Sequence, residues 1–136
     1  MKQEDKDLLL KDLCARLPYG VKMNHIADDD HCPKTLIGIA KDMITLEGLG
    51  GYEYVDIEDY KPYLFPLSSM TEKQKREYNF WKHEVPICHY EYGDVVEEIE
   101  LYDSPESVEY LIENNFDYRG LIPKGIALDA TGLNIY

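Results

Sequence analysis

Apolar positions recur with a helical period at the start of the chain. Leu10, Leu13, Cys14 and Leu17 fall at i, i+3, i+4 and i+7, and Leu9 widens the stripe. Glu4 and Asp5 occupy the first turn, Lys11 and Arg16 lie later, and Pro18-Tyr19-Gly20 ends the run, so the spacing predicts a helix. From Val21 the period changes to two. Val21, Met23 and His25 alternate with Lys22, Asn24 and Ile26. A second strand is expected over 35–39, a third or a continuation of the second over 43–46, and a further one over 52–57, with the Asp28-Asp29-Asp30 turn and Gly48, Gly50 and Gly51 as breaks. Residues 58–64 read as a short helical turn or a closing strand.

The second half mixes the two periods. Thr71 and Gln74 have the spacing of a capping box, which opens a helix running to Lys82 or His83, and Pro86 prevents its continuation. Residues 85–102 fit a hairpin around Gly93-Asp94, although Val95, Val96 and Ile99 would also share one face of a helix; the β-branched and Tyr content favours the hairpin. Ser104-Pro105-Glu106 opens a third helix with the stripe Val108, Leu111, Ile112 and Phe116, and Asn114-Asn115 supplies a left-handed stop. Leu121, Ile122, Ile126 and Leu128 in the tail are expected to dock on the body. No stretch reads as a linker, so the expectation is one α+β domain over 1–136: an N-terminal helix, a small antiparallel meander and two further helices. In outline residues 19–64 resemble an SH3-like or Tudor-like barrel, through the ending Tyr54-Val55-Asp56-Ile57-Glu58-Asp59-Tyr60-Lys61-Pro62. That resemblance implies a meander that closes on itself.

Charge narrows the range of partners. The chain has 27 acidic and 14 basic residues and a formal net charge of −13. Such a surface repels phosphate backbones and anionic membranes, so neither direct nucleic-acid binding nor membrane association is expected. The three cysteines, Cys14, Cys32 and Cys88, form no close pair and suggest no disulfide framework. Residues 1–5 carry no basic start followed by an apolar signal region, so the expected compartment is the cytoplasm, with reduced thiols.

Candidate chemistry is sparse. Asp30, His31 and Cys32 with His25 offer metal-ligand types, and His83 and His89 offer a second set near Cys88. Yet nothing pairs with Cys32 at zinc spacing, and the consecutive Asp28, Asp29 and Asp30 lack the alternation, glycine and distal glutamate of a calcium loop. A solvated turn explains the first set, and a helix-end imidazole beside a half-buried thiol explains the second. Cys14 lies on the helical stripe and reads as core. The glycines at 48–51 precede no Lys-Ser/Thr pair and read as a hairpin loop. Glu97, Glu98 and Glu100 read as one charged face. No metal, cofactor or catalytic set is therefore expected. Tyr52, Tyr54, Tyr60 and Tyr63, four of the twelve tyrosines, cluster at the end of the meander and are the candidate interaction residues, because small barrels bind peptides on aromatic grooves.

The segments Leu8-Leu9-Leu10-Lys11-Asp12-Leu13-Cys14-Ala15-Arg16-Leu17-Pro18-Tyr19-Gly20-Val21 and Phe116-Asp117-Tyr118-Arg119-Gly120-Leu121-Ile122-Pro123-Lys124-Gly125-Ile126-Ala127-Leu128 are distinctive together. With Lys61-Pro62-Tyr63-Leu64 and Ser68-Ser69-Met70-Thr71 they resemble a family of small uncharacterised proteins from gut Bacteroides-type bacteria, their prophages and other mobile elements. The resemblance covers about half of the chain and leaves out residues 85–103. It implies a setting and transfers no functional residue. The expectation is a non-enzymatic cytosolic interaction or accessory protein with a protein partner. The alternatives are an acidic decoy that imitates nucleic acid and a metal-dependent enzyme.

Overall fold

A computed structural model describes residues 1–27 and 32–136. The fold is α+β, and the chain forms two compact units: Met1–Ser69 with Ile112–Tyr136, and Met70–Leu111.

In the first unit, α1 (Gln3–Arg16) is followed by β1 (Lys22–His25), β2 (Lys34–Ala40), β3 (Met43–Gly48), β4 (Gly51–Asp56) and β5 (Tyr60–Leu64). Period-two alternation gives β3 one interior face, where Ile44 and Leu46 are fully buried. A short strand, β8 (Leu128–Asp129), pairs in parallel with β5, giving the sheet order β4-β3-β2-β1-β5-β8. The expected barrel closure is not found: β4 and β8 are the two ends of an open sheet among the described residues. The tail chain takes the place beside β5 that a closing strand would need.

Helix α1 covers this sheet with a different face from the one the apolar stripe suggests. Leu9, Asp12, Leu13 and Arg16 are buried, whereas Cys14 is exposed. The interior face is rotated because two charged residues belong to it. Arg16 Nε donates to Asp12 Oδ2 at 2.7 Å, and Arg16 Nη2 donates to Asp12 Oδ1 at 3.2 Å and to the Phe116 carbonyl at 2.6 Å. Arg119 Nε lies 3.4 Å from Asp12 Oδ1. The Asp117 carboxylate accepts from the Leu121 and Ile122 amides at 2.7 and 2.9 Å, which fixes the turn carrying Leu121 into the core. Residues 12–16 and 116–119 thus meet in one buried polar cluster.

Lys22 and Tyr63 would be the next opposed pair after Met23 and Pro62 in the β1–β5 ladder. A hydroxyl fills that rung: Tyr136 Oη accepts from the Lys22 amide at 2.8 Å and donates to the Tyr63 carbonyl at 2.7 Å.

The second unit contains α2 (Glu72–Phe80), β6 (His83–Glu91), β7 (Asp94–Tyr102) and most of α3 (Pro105–Glu113). The Thr71–Gln74 capping box forms as its spacing predicts, but α2 ends at Phe80, earlier than expected. Asn115 ends the run after α3 with φ 61°. No helix among the described residues is long and apolar enough to cross a membrane.

Candidate interaction surface

The predicted metal ligands do not come together. Asp30 and His31 lie outside the described residues. His25 belongs to the first unit, where its Nδ1 accepts from the Ala27 amide at 3.0 Å and its ring meets Tyr60 edge-on at 5.2 Å. Cys32, in the same unit, is exposed beside a shallow groove of about 500 Å³ formed with the 48–51 turn. The groove wall carries one ion pair, Lys34 Nζ to Glu53 Oε1 at 2.7 Å. His83 and His89 lie on β6 in the second unit, with Cys88 between them in sequence on the opposite strand face. Among the described residues, no three His, Cys, Asp or Glu side chains gather to hold a metal ion.

The four candidate tyrosines also separate. Tyr52 and Tyr54 project from one face of β4 into solvent, whereas Tyr60 and Tyr63 on β5 are buried. Burial, the first cause, and the nearby carboxylates hold the Tyr60 phenol above its ordinary pKa against the opposing charge of Lys34. The four do not form one aromatic groove.

The hairpin of the second unit carries a group of exposed apolar side chains. Its nine-residue strands pair from His83↔Tyr102 to Glu91↔Asp94, with Tyr92-Gly93 as a two-residue loop. Both loop residues have positive φ, 51° and 86°, as a type I′ turn requires. The predicted turn is displaced by one residue, because Asp94 is already the first residue of β7. The base is clamped within the same unit. Ser104 Oγ donates to the Trp81 carbonyl, and Tyr78 Oη donates to Asp103 Oδ1 at 2.5 Å. Tyr78 stacks on Tyr110 with centroids 6.4 Å apart, and Tyr110 Oη donates to Glu77 at 2.7 Å. Ser104 and Ser107 cap α3 reciprocally at 2.8 and 3.0 Å.

Register assigns each ribbon side chain to a face. One face carries Pro86, Cys88 and Tyr90 from β6 against Val95, Ile99 and Leu101 from β7, with Glu84 and Glu97 as its only charges. The other carries Glu91, Asp94, Glu98 and Glu100 beside His83, His89 and a few apolar residues. Glu97 therefore points away from Glu98 and Glu100, and the three are not the single charged face that the sequence suggests. The apolar face is open to water: Tyr90 is 81% exposed, Ile99 67% and Val95 61%. Burying one such side chain is worth roughly 1.5–3 kcal/mol, so this face forgoes several kcal/mol in the free chain. Tyr92 at the tip is fully exposed and holds a left-handed backbone conformation that bulky residues rarely adopt.

These features define an α+β protein whose metal-ligand side chains do not gather among the described residues and which exposes apolar side chains on a two-stranded acidic ribbon. Compared with known proteins, the chain matches no protein family, no curated protein and no solved structure.

Proposed function

We propose that the protein is a non-enzymatic interaction protein, an accessory protein of the cytoplasm, that binds a protein partner through the β6–β7 ribbon. The observation that carries this reading is the exposed face of Pro86, Cys88, Tyr90, Val95, Ile99 and Leu101. An isolated two-stranded hairpin is marginal in water, and contiguous exposed apolar surface marks sites of association. Two further features support it. Tyr92 keeps a strained conformation where glycine or asparagine would be easier, and such strain concentrates at functional positions. The thiols of Cys14 and Cys88 are exposed and form no disulfide, which suits a reducing compartment.

The test compares the unaltered chain with Ile99→Ser and Tyr90→Ser in cells of the native source. Both substitutions sit on the exposed face and should leave the circular dichroism spectrum unchanged. A partner cross-linked to the unaltered chain should be lost, by about tenfold, from both variants. Equal recovery with all three would remove the ribbon as the binding surface.

A further inference from the structure

The edges of the ribbon, taken with its charge, identify the chemistry of the occupant. The inference rests on the reading just proposed and adds a binding mode and a partner class to it.

A two-stranded ribbon has two free edges. The β6 edge contains Pro86, which has no N–H and leaves a gap in the donor row. The β7 edge, from Asp94 to Tyr102, contains no proline, and every residue in it except Val96 is exposed. It has no further strand beside it among the described residues. Proline closes one edge. The other is guarded by charge alone.

That charge has one sign. Between His83 and Tyr102 stand Glu84, Glu91, Asp94, Glu97, Glu98 and Glu100, with no Lys or Arg. A second copy added to β7 would set six carboxylates against six, and like charges opposed across strands are destabilising. The same charge attracts a cationic strand and screens it from anionic competitors. The face pattern then specifies its sequence. Opposite Val95, Ile99 and Leu101 the incoming strand needs apolar side chains. Opposite Asp94, Glu98 and Glu100, on the other face, it needs Lys or Arg.

We infer that the free edge of β7 accepts a segment of a basic partner protein as a third strand, one in which Lys or Arg alternates with apolar residues. Main-chain hydrogen bonds give the affinity, and the two ribbon faces read alternate side chains.

The probe is an acetylated ten-residue peptide alternating Lys with Val and Ile, titrated into the full ¹⁵N-labelled chain. The control has the same composition with its lysines grouped at one end. The expected result is saturable binding that slows hydrogen exchange at alternate β7 amides, about tenfold weaker for the control. Glu98→Lys, an exposed change that leaves the ladder intact, should weaken the alternating peptide several-fold. Equal affinity for the two peptides would reduce the effect to charge attraction and overturn the inference. So would protection at the β6 or β4 edge instead of β7, or concentration-dependent β7 protection without peptide, the signature of a second copy. If the peptide fails while Ile99→Ser still abolishes cross-linking, strand addition is wrong and the ribbon-binding reading stands. If Ile99→Ser also has no effect, both fall.

Discussion

Arg16 has no exposed surface, and its charge is held by Asp12, the Phe116 carbonyl and nothing from solvent. Asp12 in turn faces both Arg16 and Arg119. A buried ion pair of this kind adds little over an apolar pair of similar volume, but breaking it strands a charge. Asp12→Leu should therefore destabilise the fold by about 3–5 kcal/mol, read from urea unfolding. Asp12→Leu with Arg16→Met should recover most of the loss. A double variant no more stable than the single one would mean that the cluster contributes through packing. Neither residue's burial is legible in the sequence: a charged residue counts as polar in any periodic pattern, so the apolar stripe points to Cys14, which is exposed, instead of to Asp12 and Arg16.

At the scale of elements, the hairpin turn invites a direct test. Tyr92 occupies the left-handed region at roughly 1–2 kcal/mol per L-residue, and Asn tolerates it better. Tyr92→Asn should slow hydrogen exchange across the β6–β7 ladder, by a factor corresponding to about 1 kcal/mol. Unchanged exchange would show that the ribbon opens without releasing its turn. What the sequence discloses at this scale is local. The Thr71–Gln74 box and the Ser104-Pro105 start depend on neighbours within a few residues, and both are found where the spacing puts them. β8 was not legible, because two residues become a strand only through pairing with β5. The hairpin was legible from its Gly93 turn, but its exposure was not. Alternating apolar residues such as Val95, Ile99 and Leu101 give the same pattern whether the face they form is covered or open. Aromatic density alone points instead to Tyr52, Tyr54, Tyr60 and Tyr63, of which the last two are interior.

Over the whole molecule, each unit contains a phenol that resists ionisation. Burial, reinforced by the Glu77 carboxylate, raises Tyr110 from its usual 10.0 to about 12. Burial also raises Tyr136, against the opposing effects of its bond from the Lys22 amide and of nearby Arg16. Below pH 10 both phenols are protonated, folded or unfolded, and their contribution is complete. Between pH 10 and about 12 the unfolded chain releases these protons while the folded chain keeps them, so stability falls as pH rises. Chemical denaturation across that interval should show a decline that Tyr110→Phe and Tyr136→Phe each make shallower. Equal slopes in all three proteins would assign the decline to general charge repulsion, which a chain of net charge −13 already carries.

The lone tryptophan, Trp81, caps α2 at the foot of the ribbon. Its emission is therefore a built-in optical gauge of residues 70–111, the unit that contains it. A fluorescence melt follows the ribbon unit, whereas far-ultraviolet dichroism averages over the entire backbone. Any gap between the two midpoints measures how far the units unfold independently, and a blue shift of that emission on adding a ligand would mark occupancy near the ribbon without any attached label.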